Sequence, residues 1–515
     1  MYINNQKTDP SSVRNSWRLK NKKKLRKIEP ESVDEYIEEG AIEEESGDRW
    51  HGSDLAKALR FYQKAYTNYR KAIDIGLPDQ RPLVQLAHYN ALRLLFHVYT
   101  QYQKTDGVDI SELTNVTEVV DAGSNLVYQE IPEIVKAHET AIEYAGADAP
   151  TDLLFNAAIV YIEAIEETNA STEIFEMASR SMQLLKNVLE RQASELEVTS
   201  GVKPADVDPN EFTSPADMLD TVISVFSLVQ TLYESVGGTA EKNAAVTSLV
   251  GQFVTDSETV GRQILGNADI KQEQRLEYLL GKTYASAASC TSLKDVFAEW
   301  DNSFLPQSPE RYMLAADCIE SFMLRTNINS PYSETPEEYW DALTKMDQYI
   351  KQAHEMLNTK FKEAKASPAS SQTLGLGSIT SQIAKVCIAR SDIDLQRSHL
   401  PLEKAVANLW ILQANAKAFV KSAMNLAKQS GGMRETIVEK VQRERRRIEA
   451  VCRLCALERK ALEQELDTIV GAGRWQSEVE NMRNFGYTSS TCPTSKGKGQ
   501  SVCIGFQRIK KKKSI

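Results

Sequence analysis

Apolar residues recur along most of the chain with the spacing of three to four residues that is typical of an amphipathic helix. A clear example is the segment 81–101, in which Leu83, Leu86, Tyr89, Leu92, Leu95 and Val98 recur at this spacing. This spacing places them on one face of a helix, and that face must pack against another element. No segment shows a convincing strand alternation. The pattern therefore predicts an all-α protein of about fifteen helices.

Start and stop signals mark the boundaries of these helices. Three segments place a hydroxyl residue three positions before an acid, as in a capping box, and they begin at Ser32, Ser214 and Thr335. In the last two a proline follows, which suits the first position of a helix. The glycine pairs at 237–238 and 431–432 predict helix ends, because glycine adopts the left-handed conformation that often closes a helix.

Two stretches, residues 194–213 and 364–378, lack helical periodicity and are rich in small or turn-forming residues. We interpret the first as the boundary between two helical blocks. The predicted organisation is a disordered basic tail (1–30), an N-terminal helical-repeat block (31–193), an acidic linker (194–213), a C-terminal helical-repeat block that ends in a long capping helix (214–475) and a disordered tail (476–515).

Four places carry the residue pattern of helix pairs in which small residues lie where two helices touch. The first has Gly40, a predicted turn at Gly47 and Asp48 with six extra residues from Arg49 to Asp54, and a second helix with Ala58, Tyr62 and Ala65. The second has Leu154, Asn156, Ala158 and Tyr161, followed after an enlarged turn by Ala178, Met182 and Leu185. The others are Leu280, Gly281 and Tyr284, and Ala315, Ile319 and Phe322. Together they resemble degenerate tetratricopeptide repeats, which are helix pairs of about 34 residues.

This resemblance implies an α-solenoid that binds another protein on a curved surface. The peptide-binding members of that family hold a C-terminal carboxylate with Lys and Asn side chains of successive first helices. The corresponding positions here are Ile37 and Ala41 in the first unit, and Phe155 and Ile159 in the second. These side chains cannot form charge-assisted hydrogen bonds, which argues against that ligand. An irregular α-helical protein without true repeats stays open as the alternative.

The charge of the chain is segregated along its length. The net charge is −10, but residues 1–27 carry nine Lys or Arg against one acid, and the last eight residues carry five more bases. The remaining body has 47 bases against 70 acids. Such an excess of acids repels nucleic-acid phosphates and attracts a basic protein, so we expect a protein partner and no direct nucleic-acid binding. The alternative is that the charge only keeps a long helical protein soluble.

A dense basic cluster lies in the N-terminal tail and consists of Arg18, Lys20, Lys22, Lys23, Lys24, Arg26 and Lys27. Such runs are typical of nuclear-import signals, which predicts a protein of the nucleus and cytoplasm. Two alternatives are contact with RNA or the ribosome and contact with the chain's own acids, since residues 31–48 hold nine acids and no base. No apolar run approaches the roughly 18 residues of a membrane span, so no membrane association is expected.

Sequence motifs of catalytic, nucleotide and metal sites are absent. The six histidines are dispersed, and the sequence has no GxxxxGK[ST] and no H-E-x-x-H. Cys452 and Cys455 form a CxxC inside a helical run, where Val441, Ile448, Cys455, Leu462 and Ile469 recur every seven residues. We therefore predict that Cys455 belongs to a buried stripe and is not a reactive thiol.

These observations favour a non-catalytic protein-binding scaffold or assembly chaperone, without cofactor, for a basic client such as a ribosomal or other nucleic-acid-binding protein. The alternatives are a structural subunit of a larger multiprotein complex and an enzyme with an unrecognised site.

Overall fold

A computed structural model describes residues 29–120, 126–199, 213–236, 238–328, 335–366, 375–458 and 463–483. This part of the chain is all-α and contains no strand. The α-helices are α1 (Val33–His51), α2 (Leu55–Ile75), α3 (Arg81–Tyr99), α4 (Thr117–Val120), α5 (Ile131–Ala145), α6 (Thr151–Glu167), α7 (Ser171–Thr199), α8 (Pro215–Val236), α9 (Ala240–Ile264), α10 (Gln272–Ser289), α11 (Leu293–Trp300), α12 (Pro309–Arg325), α13 (Pro336–Ala366), α14 (Leu376–Ser398), α15 (Glu403–Ala427), α16 (Ile437–Glu458), α17 (Glu463–Val470) and α18 (Gln476–Arg483).

The predicted start signals coincide with helix starts. The backbone N–H of Asp217 donates to Ser214 Oγ over 3.2 Å, and the N–H of Ser214 donates to the Asp217 carboxylate over 2.8 Å. This reciprocal pair is the capping box, and it satisfies donors that the first turn of α8 leaves without an intrahelical acceptor. At α1, Ser32 is the N-cap residue, but its side chain forms no capping bond.

The helices form pairs that follow one another along the chain. Within the pairs α1/α2, α6/α7, α8/α9, α12/α13 and α14/α15 the two helices pack along each other. The first helices also contact one another in order, since α6 packs on α8, α8 on α10 and α10 on α12. We call α6, α8, α10 and α12 the first-helix layer. Pair-on-pair stacking of this kind is the arrangement that helical-repeat architectures use.

The first predicted repeat is a helix pair, but its turn was placed wrongly. Gly47 lies inside α1, where a Cβ atom would stand 2.4 Å from the ring of Tyr62, and Gly40 lies in the same way against Tyr69. Of the six residues expected to enlarge the turn, the first three extend α1 to His51, and the other three form the turn before α2 begins at Leu55. Both glycines are therefore needed so that two tyrosine rings of α2 can approach the α1 backbone.

The second predicted repeat is also a helix pair. Here α6 and α7 pack along each other, with Ala178 and Leu185 of α7 fully buried in the core. The expected enlarged turn is wrong, because only residues 168–170 separate the two helices. The residues assigned to the turn instead lengthen the helices, so that α7 has 29 residues.

The acidic segment 194–213 does not divide the hydrophobic core. Helix α7 continues to Thr199, so the first part of the predicted linker is helical, and residues 200–212 lie outside the described part. Helices α7 and α8 on its two sides pack against each other, and one continuous core cluster includes Leu185 from α7 and Leu219 from α8. The two sides of this segment therefore belong to one packed body.

The long capping helix predicted near the C-terminus is two helices. Arg447 Nη2 of α16 donates to the carbonyl oxygen of Ile469 in α17 over 3.4 Å. Residues 22 positions apart in one helix would be about 33 Å apart, so the chain reverses between α16 and α17. The segment predicted as a disordered tail from residue 476 begins with α18, whose Val479 and Met482 are buried.

The C-terminal helices return to the N-terminal part of the chain. The backbone N–H of Ile437, at the start of α16, donates to the carbonyl oxygen of Gly52 over 3.0 Å. Arg446 of the same helix forms an ion pair with Asp106. Helix α16 is therefore packed inside the molecule and does not form a free cap on the end of a stack.

Candidate functional site

A group of carboxylates lies on the first-helix layer and on α14 next to it. Glu320 of α12 is half-buried, and desolvation raises its pKa to about 7, with further contributions from the negative charges of Asp317 and Asp392 and an opposing one from the positive charge of Lys385. Desolvation also raises the pKa of Asp317, which Glu234 raises further and Lys385 opposes. Because these carboxylates repel one another in surroundings poor in water, their ionised forms are destabilised.

A second group of carboxylates lies toward the start of α8. Desolvation raises the pKa of Asp220 to about 6, and the charges of Glu277 on α10 and Asp217 on α8 add to the rise. The pKa of Asp152 on α6 is raised by desolvation and by Asp217. The two groups are joined by α8, whose Asp220 and Glu234 are about 21 Å apart along the helix axis. We call Asp220, Glu277, Asp317 and Glu320 together the acidic surface.

The side chains of the acidic surface are surrounded by protein but open to solvent. Asp317 has more than a third of its surface exposed, yet desolvation is the main cause of its raised pKa. Within the described part of the chain, neither Asp317 nor Glu320 forms an ion pair or a hydrogen bond. The positive charge of Lys385 on α14 acts on both carboxylates but does not form an ion pair with either, so each can still accept a direct contact from a further cation.

A buried arginine of α16 lies close to this surface, and there the carboxylates are compensated by a positive charge. Arg453 donates from Nε to Asp392 Oδ1 and from Nη2 to Asp392 Oδ2, each over 2.9 Å, and it also binds the Glu478 carboxylate. All three side chains are less than a tenth exposed. This bidentate geometry compensates the carboxylate of Asp392, which faces the same region as Glu320.

A second buried arginine connects α16 to the preceding segment. Arg443 donates to both oxygens of Glu435 over 2.7 and 3.1 Å, and its Nη1 donates to the carbonyl oxygen of Ala427 over 2.7 Å. The last contact satisfies a carbonyl at the end of α15 that has no intrahelical donor. Arg443 and Arg453 of α16 thus form buried ion pairs.

The four residues that correspond to the carboxylate-binding positions of the repeat family lie in different environments. Phe155 and Ile159 are partly buried and pack against the core, whereas Ile37 is partly buried and Ala41 is exposed. Nearby, Glu44 of α1 is buried and accepts hydrogen bonds from Tyr69 Oη over 2.9 Å and from Arg93 Nη2 over 2.5 Å. At least one of the nine acids in residues 31–48 is therefore engaged within the fold.

The basic cluster from Arg18 to Lys27 lies outside the described residues. The CxxC lies in α16, where Cys452 is buried and desolvation raises the pKa of its thiol, while Cys455 is half-buried. In the described part of the chain, no group of three or more His, Cys, Asp or Glu side chains is placed to hold a metal ion. None of the helices described there has the length and apolarity needed to cross a membrane.

Sequence reasoning found the excess of acids but not the acidic surface itself. Asp220, Glu277, Asp317 and Glu320 come from three helices, and no local motif connects them. The signal that could have pointed to α12 is the sequence AADCIESF, where two acids three residues apart share one side of an otherwise apolar helix.

Comparison with known proteins finds one family that matches the C-terminal part of the chain and one related yeast protein. Residues 305–482, from just before α12 into α18, match the family described as the YNL193W C-terminal domain. The chain is 28% identical over 187 residues to the uncharacterized protein YNL193W of Saccharomyces cerevisiae, a match that covers 34% of this chain and 33% of the yeast protein. No solved structure matches the chain. The matched region includes Asp317, Glu320 and the arginines of α16.

Proposed function

We propose that this protein is a non-catalytic scaffold or assembly chaperone, built as a tetratricopeptide-like solenoid, whose acidic surface binds a basic segment of a partner protein. The observation that carries the proposal is the pair Asp317 and Glu320, two accessible carboxylates without a partner in the described chain and with raised pKa values. A Lys or Arg side chain placed between them would remove their mutual repulsion. The basic cluster 18–27 supports nucleus and cytoplasm as the proposed places of action.

The raised pKa values favour a cationic partner over a neutral one. A carboxylate that is costly to ionise next to other carboxylates gains more from a bound cation than one that is already solvated. The gain comes from interactions that depend on charge, so the binding is expected to weaken as salt is added. Carboxylates do not attract the phosphates of nucleic acids, so the proposed partner is a protein.

The test is a binding titration of the full chain with a fluorescent peptide rich in Lys and Arg, at low and at physiological salt. The double variant Asp317→Asn/Glu320→Gln is expected to weaken binding roughly tenfold, because two charge pairs are lost. The control is Glu176→Gln/Glu363→Gln, which removes two carboxyl groups at exposed positions of α7 and α13, and thus at least as much negative charge, and is expected to change the affinity less than about twofold.

Equal losses in the two double variants would show that net charge alone attracts the peptide, and the proposed site would be wrong. A chain that does not bind the peptide, but is recovered from cells at constant stoichiometry with the same proteins at high salt, would instead support a structural subunit of a larger complex.

A further inference from the structure

Helix α15 presents an apolar face that the described part of the chain does not cover. Val406 is 70% exposed and Trp410 is 72% exposed, and Leu409 and Ile411 beside them are each more than a third exposed. The opposite side of the helix, which includes Leu412 and Ala416, packs on α14 and α16. An exposed cluster with a tryptophan at its centre is the usual composition of a protein interface core.

The charges that border this face are distributed symmetrically about Trp410. Residues 405–416 contain no charged side chain, and the flanking charges on the same stripe are Glu403 and Lys417, each seven residues from Trp410. Seven residues are two turns of an α-helix, so Glu403, Trp410 and Lys417 lie in line along one side. The negative charge of Glu403 and the positive charge of Lys417 therefore lie at opposite ends of the face, at equal distances from Trp410.

We propose that this face of α15 binds the same face of a second copy of the chain, with the two helices antiparallel around a twofold axis at Trp410. In that arrangement Glu403 of each copy faces Lys417 of the other, and Val406 faces Ala414. An isologous interface requires such self-complementarity, because each residue meets its symmetry partner. The proposal does not depend on the acidic surface, which lies on other helices.

The charge pairs are compatible with the ion pairs already present. Lys417 Nζ lies 2.8 Å from Glu458 Oε1, and Lys421 lies 3.4 Å from the same oxygen. Lys421 can therefore keep Glu458 compensated when Lys417 also contacts Glu403 of the other copy. The face between the charges is uncharged, so the net charge of −10 opposes association only from a distance, where salt screens it.

The first experiment measures the mass of the full chain in solution by sedimentation equilibrium. The protein is expected to be a dimer, and Trp410→Glu is expected to raise the dimer dissociation constant roughly 30-fold or more, as for a buried aromatic at an interface centre. The matched control is Phe304→Glu, because Phe304 is 92% exposed and lies outside α15. That variant is expected to remain dimeric. A monomeric wild-type chain, or equal losses in both variants, would overturn the proposal.

The second experiment tests the antiparallel arrangement by exchanging the charges. Glu403→Lys alone and Lys417→Glu alone each place like charges opposite one another at both ends of the interface, so each is expected to weaken the dimer. A mixture of the two variants restores opposite charges at both ends, and a heterodimer with near wild-type affinity is expected. Thermal unfolding of each variant checks that α15 is intact. If folded variants do not recover affinity on mixing, the twofold arrangement is wrong.

Discussion

Replacing Glu320 by glutamine is expected to stabilise the protein at alkaline pH. The pKa of this carboxyl is raised from 4.5 to about 7 by desolvation, by Asp317 and by Asp392. A pKa that is higher in the folded protein means that the folded state binds the proton more tightly than the unfolded chain. Stability from this group is therefore fully present below pH 4.5 and is lost as the pH rises through about 7.

The magnitude follows from the size of the shift. A rise from 4.5 to about 7, at 1.36 kcal/mol per pKa unit, costs the wild-type protein about 3 kcal/mol above pH 7. For a chain of 515 residues the unfolding entropy is about 1 kcal/mol per kelvin. Glu320→Gln should therefore raise the melting temperature by about 3 °C at pH 8, and by less than about 1 °C at pH 5, where Glu320 is already protonated in the fold.

The assay is thermal unfolding of the wild-type chain and the variant, followed by circular dichroism at pH 5 and pH 8. The control is Glu363→Gln on α13, which removes an exposed carboxylate and is expected to leave the melting temperature unchanged at both pH values. A shift of equal size at pH 5 and pH 8 would refute the electrostatic explanation, and so would a lower melting temperature of Glu320→Gln at pH 8.

Two further substitutions test the packing of the fold. Gly47→Ala places a Cβ atom 2.4 Å from the ring of Tyr62, and we expect the free energy of unfolding, measured in urea, to fall by about 1–3 kcal/mol. The control is Gly251→Ala, whose Cβ meets its nearest neighbour at 4.0 Å. This variant should gain up to about 1 kcal/mol of stability from helix propensity. Arg453→Ala removes the bidentate partner of Asp392 and one of the two arginines that bind the buried Glu478, the other being Arg445. This should cost about 3–5 kcal/mol in the same measurement, and a loss below about 1 kcal/mol would contradict the described ion pairs.

The positions of the helices could be predicted from the sequence because they depend on local signals. The periodicity in residues 81–101 corresponds to α3, and the capping box at Ser214 corresponds to the start of α8. Gly47 shows where local reasoning fails. The sequence alone does not distinguish a glycine in a turn from a glycine packed against an aromatic ring. The ring that lies against Gly47 is that of Tyr62, which belongs to another helix.

The C-terminal helices could not be predicted for a related reason. Apolar residues at a spacing of seven are compatible with one long helix and also with two helices that fold back and share one core, as α16 and α17 do. The arginines of α16 carry no local sign of burial, since arginine is mostly exposed and is rarely buried without a partner. The partners exist but are distant in the sequence, as Asp392 is 61 residues from Arg453.

Asp392 and Glu320 are the two neighbouring carboxylates whose different environments support the proposed role of the acidic surface. The two carboxylates are close enough for the charge of Asp392 to raise the pKa of Glu320. Asp392 is compensated by Arg453 at hydrogen-bond distance, whereas Glu320 forms no ion pair or hydrogen bond in the described chain and is opposed in its pKa rise by the charge of Lys385 without contact. A buried charge is normally compensated within a protein that acts alone. The difference between these two neighbours therefore favours a cation supplied by another protein, and the binding titration of Asp317→Asn/Glu320→Gln measures that contribution directly.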